Sequence, residues 1–374
     1  MIRIGSDFSG VGAFNQALIR LGVEYKEVFA CDMDKFARET FIHNYGEPEY
    51  YPHNVYDREI PSESLDIYMT SPPCQAFSLA GKRLGKDDKR GILFFNSYEF
   101  IQVNKPRFFI FENVKGLLSD DDGKTFQEWV NMLGGKSVNG VPVLFPYDDS
   151  VPYHLYWQVL NAKHHGVPQN RERVFLVGIR DDQDNKFQFP REEHLTKRLK
   201  DVLEDAVDSK YFLSEKIISE VMLDYYKVKS ATLKGYEIAT DEDSINFSVP
   251  NSETRRGRVG KGVAQTLDTG CNQAVIQLNP SLESGGKQPY QQNRVYDSNG
   301  ISPAMNAGQL TWGGNIVTLP NDYKIRRLTP RECFRLMDFP DTFTWPVSDS
   351  QAYKQAGNSI VVNVLYKILK QLPI

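Results

Sequence analysis

Residues 2–14 read IRIGSDFSGVGAF, an apolar run that ends in an acid and is followed by glycines at positions 10 and 12. The stretch predicts a strand running into a Gly-rich turn, then a helix over NQALIRLG that Gly22 stops. Glycines at such a turn let the backbone approach a ligand and leave helix N–H groups pointing outward. The spacing falls short of a full dinucleotide fingerprint, so a tight structural turn explains DFSGVGAF as well as a cofactor site does.

Working outward, EYKEVFACD reads as the next strand and KFARETFIHNYG as an amphipathic helix. LDIYMTS, RFFIFENV and RVFLVGIR add strands rich in β-branched and aromatic residues. Strands separated by helices predict an α/β fold, a doubly wound sheet with helices on both faces. After about Arg180 the texture changes. EEHLTKRLKDVLEDAV and EKIISEVMLDYYKVK read as charged helices, and they lead into a Gly-, Asn-, Ser- and Gln-rich region from Asn251 to Asn315. Within that region, the segments from Arg258 and from Arg294 look like diverged copies of one hairpin. Regular structure resumes at TPRECFRLM, and NSIVVNVLYKILKQL closes the chain as an amphipathic helix.

Doubly wound sheets bind ligands at the C-terminal ends of their strands, and several chemically capable residues fall there. Asp32, in CDMD, stands where an acid would bond ribose hydroxyls, although a helix N-terminal acid explains it too, as it does Asp34. Cys74 follows LDIYM on a backbone stiffened by Pro72 and Pro73. A disulfide partner, a packed core thiol and a nucleophile are all open readings for it. The next residues, SLAGKRLGKDDKRG, read as a basic loop able to close over an anionic substrate. Glu112 and Asn113 end FFIFENV, where partial desolvation would raise a carboxyl pKa, and where a helix cap is the plain alternative. Arg171 and Arg173, two residues apart, share a face if extended and could clamp an anion or line a solvated strand edge. Asn358 and Ser359 suit the cap of the last helix.

At 374 residues and 25% charged, the chain is of ordinary globular composition, with no stretch long and apolar enough for a membrane span. Four scattered cysteines match neither a zinc pattern nor a disulfide scaffold, which points to a reducing cytoplasm and a free Cys74 thiol. The net charge of −4 argues weakly against a nucleic-acid partner, but RRGRVGK (Arg255 to Lys261) is a local basic patch that the sum hides.

Taken together and in order, DFSGVGAF, CDMD, SPPCQAFS, ENVKGLL, QNRERVFLVGIR, RRLTPRECFRLMDFP and AGNSIVVNV resemble the DNA (cytosine-5) methyltransferase family. The resemblance implies a Rossmann-like doubly wound mixed sheet as catalytic domain (1–183), a smaller loop- and strand-rich target-recognition domain with hinge (184–345), and a C-terminal segment (346–374) returning to the first. It implies S-adenosylmethionine as cofactor, no metal, and double-stranded DNA in the cleft. Cys74 would add as thiolate to C6 of a flipped-out cytosine, Glu112 would contact N3 and the exocyclic amine, Arg171 the base carbonyl, and Arg173 the Cys74 loop. Phe8, Ser9, Gly10, Gly12, Asp32, Met33, Pro73, Leu93, Asn358 and Ile360 would line the cofactor pocket. Asn54 replaces the family's common acid at the adenine amine, and Met33 a common aromatic. Ser78, Lys82, Arg83, Arg255, Arg256, Arg258, Thr266 and Leu267 are the expected DNA contacts. A cytoplasmic monomer in a bacterial or phage-infected cell is expected; a cognate restriction endonuclease, where there is one, would act on the same site without a stable complex. Transfer RNA as substrate, or a catalytically silent DNA-binding protein, are the competing readings.

Overall fold

The computed structural model describes residues 1–72, 92–183, 185–204, 206–212, 222–224, 227–239, 244–246, 252–254, 256–260, 273–277 and 324–374. An eight-stranded sheet, ordered β2-β1-β3-β4-β8-β7-β5-β6, forms the larger part. Its strands are β1 (Ile2–Asp7), β2 (Tyr25–Cys31), β3 (Ile67–Thr70), β4 (Phe108–Val114), β5 (Ser137–Val138), β6 (Val141–Pro142), β7 (Tyr153–Asn161) and β8 (Glu172–Arg180). Strands β2, β1, β3 and β4 are parallel, whereas β8 runs antiparallel to both β4 and β7. The reversal has a consequence for the site: Val114 at the end of β4 pairs with Arg173 near the start of β8.

The sheet is covered on both faces, and β4 shows why its sequence is nearly all apolar. Phe108 and Ile110 join one buried cluster while Phe109 and Phe111 join another, as the two-residue period of a strand requires. Facing Phe109 across the ladder, β8 carries Gly178, where an added Cβ would lie 2.1 Å from the Phe109 ring. The crossover helices are α1 (Ala13–Leu21), α2 (Lys35–Tyr45), α3 (Ile92–Asn104) and α4 (Lys124–Leu133). Gly22 ends α1 in the left-handed conformation, as its position predicts.

Smaller sheets lie in the middle of the chain: three strands at 222–224, 227–229 and 236–238, and four at 244–246, 259–260, 273–277 and 324–326. The helical reading of the two charged segments is therefore corrected where the chain is described; residues 215–221 lie outside the described residues. Among its described residues EEHLTKRLKDVLEDAV forms only a 3-10 turn, at Leu199–Val202, and the described end of EKIISEVMLDYYKVK forms two strands. Tertiary partners outweigh propensity here. The Glu193 N–H donates to the His164 carbonyl and the Glu204 N–H to the buried Glu332 carboxylate, so the backbone is drawn out across the larger unit.

Arg326, in the last small-sheet strand, is fully buried and donates to both oxygens of Glu332, at 2.7 and 2.8 Å. Glu332 also completes a capping box with Thr329 at the helix Pro330–Leu336. Leu328, Phe334 and Met337 share a core with β1 and β4, so the chain is back against the large sheet well before residue 346. The last helix is also corrected. Asn358 ends a helix over Asp349–Asn358, Ser359 is extended, and the final helix is Val362–Leu369, packed on α1. The carbonyls of Gly357 and Ser359 accept from Arg171, which satisfies groups a continuous helix would have bonded internally.

Candidate functional site

The C-terminal ends of β1 to β4 form one edge of the sheet, and its two halves are built differently. On the β1–β2 side, the Asp32 carboxylate accepts from the Gly10 N–H through Oδ2 and from the Asp34 N–H through Oδ1, each at 2.8 Å. Burial raises the Asp32 pKa, and the two backbone donors oppose that. Capping of α2 falls to Asp34, whose Oδ1 accepts from the Phe36 and Ala37 N–H groups. Asp32 is thus spared for another role. The turn over Phe8 to Gly12 is left-handed at Phe8 (φ 57), Gly10 (φ 55) and Gly12 (φ 82). A Cβ at Gly10 would meet nothing within 4 Å, whereas at Gly12 it would strike the Tyr45 ring at 2.2 Å. Backbone at Gly10 is therefore open to an approaching ligand.

The other predicted pocket residues surround this turn. Ser9 Oγ lies 3.2 Å from the Tyr51 hydroxyl. Met33 is exposed, at 83%, and so is Asn358, while Leu93 and Ile360 are half-buried. Asn54 Oδ1 accepts from the Tyr56 N–H at 3.1 Å, so its oxygen already closes a local turn. Pro73 lies outside the described residues.

On the β4–β8 side, Glu112 is buried and its carboxyl pKa is raised by desolvation, with Arg173 and then Arg171 pulling it back down. Arg173 Nε sits 3.1 Å from Glu112 Oε1. Arg171 lies deeper, at 3% exposure, and donates to the Gly357 and Ser359 carbonyls at 3.0 and 2.8 Å. Both arginines act on Glu112, but they are not equivalent. Asn113 Nδ2 donates to the Pro72 carbonyl at 3.1 Å, tying β4 to the backbone two residues before Cys74. Cys74, Ser78, Lys82 and Arg83 lie outside the described residues, as do Arg255, Thr266 and Leu267.

In the middle region, Arg256 is exposed and bonds the Ala231 carbonyl, whereas Arg258 is 1% exposed with its guanidinium donating to the Asn246 carbonyl. In this structure Arg258 is therefore an interior brace, whereas Arg256 is open to solvent. Residues that sequence reasoning passed over include Arg58 and Tyr68, which hold Asp7, and Gln169, fully buried and donating to the Leu336 carbonyl. Gln169 sat in view inside QNRER, but no local pattern marked Arg58. No group of His, Cys, Asp and Glu able to hold a metal occurs among the described residues, and no helix among them is long and apolar enough to cross a membrane.

An open glycine turn with a half-buried acid after β2, beside the buried Glu112 carboxyl paired with Arg173 at β4 and β8, sits at the ligand-binding edge of an α/β doubly wound sheet. The chain belongs to the C-5 cytosine-specific DNA methylase family, whose model matches residues 2–373. It is 32% identical over 444 residues to the orphan methyltransferase M.SPRI of Bacillus phage SPR, covering 99% of this chain and 97% of that one. Against the type II methyltransferase M.HhaI of Haemophilus parahaemolyticus it is 32% identical over 367 residues, covering 96% and 91%. Among solved structures, the Dnmt2 methyltransferase of S. pombe shares the fold at a TM-score of 0.60 and 18% identity, with 99% and 97% of the chains covered. The fold is the Rossmann-like mixed sheet of these enzymes, and the chain is a DNA cytosine-5 methyltransferase by family.

Proposed function

We propose that the chain transfers a methyl group from S-adenosylmethionine to C5 of a cytosine flipped out of a specific double-stranded DNA sequence, through a covalent bond from Cys74 to C6. The observation that carries this reading is the buried Glu112 carboxyl held 3.1 Å from Arg173, on a strand that Asn113 ties to Pro72. The cofactor half fits the proposed donor. Asp32 has lone pairs left for ribose hydroxyls, the backbone at Gly10 is open, and Phe8, Ser9, Gly12, Met33, Asn54, Pro73, Leu93, Asn358 and Ile360 would complete the pocket. When bound, S-adenosylmethionine supplies an electrophilic methyl group.

The protein's own groups do the rest. Cys74 adds as thiolate to C6, which pushes electron density toward N3 and makes C5 nucleophilic. Glu112 holds its proton more tightly than a solvated carboxyl, so it can share that proton with N3 as charge develops there. Arg173, not Arg171, is assigned to the base carbonyl, because Arg171 is committed to the Gly357 and Ser359 carbonyls. After methylation a base removes the C5 proton and Cys74 leaves, restoring the ring. Flipping the base costs roughly a few kcal/mol. The middle segment within 184–345 is proposed to read the sequence, with Arg256 as an exposed candidate contact. The relatives named as type II and orphan methyltransferases support a bacterial or phage modification enzyme. A cytoplasmic monomer, with or without a cognate endonuclease, is proposed beside that reading.

The test incubates the protein with labelled S-adenosylmethionine and mixed-sequence duplex DNA, then maps the modified cytosines. Label in C5 of cytosine within one recurring sequence is expected. Transfer to RNA only, or to adenine, would overturn the reading. Cys74→Ser should abolish transfer with cofactor affinity nearly intact, and an oligonucleotide carrying 5-fluorocytosine at the target should trap a linked species through residue 74.

A further inference from the structure

Asp7, the last residue of β1, is buried beneath the Phe8–Gly12 turn, and both of its carboxylate oxygens are engaged. Arg58 Nε donates to Oδ1 at 2.9 Å, and the Tyr68 hydroxyl, from β3, donates to Oδ2 at 2.6 Å. The Arg58 and Asp7 side chains are 2% and 0% exposed. The same guanidinium donates through Nη2 to the Asn96 carbonyl of α3, at 3.2 Å, and lies over the Phe100 ring, 4.7 Å from its centroid. Arg58 directly follows the turn in which Asn54 bonds the Tyr56 and Asp57 N–H groups. One side chain therefore joins three pieces of chain: the glycine turn, the Asn54 turn and the first half of α3, which carries Leu93. Those pieces are distant in sequence, and each contributes to the proposed cofactor pocket.

A buried ion pair is a poor device for stability alone, since taking two charges out of water can cost as much as their attraction returns. It does fix geometry. Phe8, next to Asp7, is held at φ 57, a left-handed conformation that a non-glycine residue keeps only when its surroundings enforce it. If the Asp7 carboxylate tilted, Phe8 and the Gly10 N–H that meets Asp32 would move with it.

We infer that Arg58 is a positioning residue for the cofactor half of the site: through Asp7 and Asn96 it sets the spacing of the glycine turn, the Asn54 turn and α3 around the adenosine portion of the donor. The inference rests on the cofactor reading given above. Arg58 touches neither the base nor the methyl group, so its removal should weaken donor binding and leave the chemical step alone.

The experiment measures the Kd of S-adenosylhomocysteine by calorimetry, and kcat and KM for S-adenosylmethionine, on wild type, Arg58→Met, Arg58→Lys and Tyr68→Phe. In Arg58→Met, Kd and KM should rise about ten-fold or more while kcat at saturating donor stays within about two-fold. Arg58→Lys keeps the charge beside Asp7 and should recover part of the affinity. A scaffold role alone would lower Tm without this split between KM and kcat. A folded Arg58→Met enzyme with wild-type Kd overturns the inference, as does a fall in kcat with unchanged KM. If Arg58→Met does not fold, Tyr68→Phe carries the test: a rise of a few-fold in Kd supports the inference and an unchanged Kd overturns it. Wild type that binds no S-adenosylhomocysteine would sink the cofactor reading itself, a different failure from equal binding by wild type and variant.

Discussion

Asp32, half-buried, and Glu112, buried, are two carboxyls on one sheet edge, and they are held in opposite ways. Asp32 is fixed by backbone N–H groups of its own turn and of the glycine turn; Glu112 faces the side chain of Arg173. Backbone donors cannot move without the fold moving, so Asp32 suits a ligand that binds in one pose. A side-chain partner can be exchanged, so Glu112 suits a ring whose charge changes during reaction. The difference separates holding from chemistry, and each half can be broken on its own.

The largest effect is expected at Glu112. Glu112→Gln keeps shape and hydrogen-bonding capacity but cannot supply the acidic proton, and the single-turnover rate should fall by about 10²-fold or more, the usual range for general acid–base groups. The Kd for S-adenosylhomocysteine should stay within about two-fold. A rate within a few-fold of wild type would erase the contrast between the halves. The arginines come next. Arg173→Met should lower kcat by roughly 10²-fold, as loss of a preorganised donor does, with little change in Tm. Arg171→Met should do the reverse in emphasis: it strips donors from two carbonyls at a helix end, a loss of about 1–3 kcal/mol in stability read by denaturant unfolding. Equal losses of stability in both variants would show that the division between the arginines is wrong. Asp32→Asn sharpens the other half. Hydrogen bonds to a charged group contribute about 1.5–3 kcal/mol, so KM for the donor should rise roughly ten-fold or more with kcat at saturation little changed.

The sequence discloses the strand ends far better than it discloses what braces them. FFIFENV is legible because a strand covered on both faces must be apolar throughout, so the acid at its end stands out. QNRERVFLVGIR placed two arginines on one face, but alternation says nothing of depth, and depth is what separates Arg171 from Arg173. Arg58 carries no local signature, since its partners Asp7, Tyr68 and Asn96 come together only in the folded sheet. The segment after Arg180 misled because its charges and apolar residues repeat at helical spacing, while the Glu193 and Glu204 N–H groups find partners elsewhere in the fold. The break at Ser359 was hidden for a related reason. The apolar spacing of NSIVVNVLYKILKQL carries no sign of the break, which falls where a guanidinium almost two hundred residues upstream takes the Gly357 and Ser359 carbonyls.

A third carboxyl, half-buried, extends the comparison to one with no ion pair among the described residues. Glu27, on β2, has Oε2 bonded to Asn15 Nδ2 at 2.8 Å and a buried Oε1 with no hydrogen-bond partner among the described residues. Burial raises its pKa from 4.5 to about 8, against the smaller opposing effect of Asn15. Between those two values the folded protein holds the Glu27 proton and the unfolded chain does not. Its contribution is therefore fully present below about pH 4.5 and is lost as pH rises through about 8. Glu27→Gln removes the titration and keeps an oxygen for Asn15, so the unfolding free energy of the variant should depend less on pH between 5 and 8 than that of wild type. The effect is smaller than the others because Glu27 bears on stability alone. Matching curves from pH 5 to 8 would mean that Glu27 is ionised in the folded protein, and that a buried carboxylate can sit at this sheet with neither a backbone cradle nor an arginine.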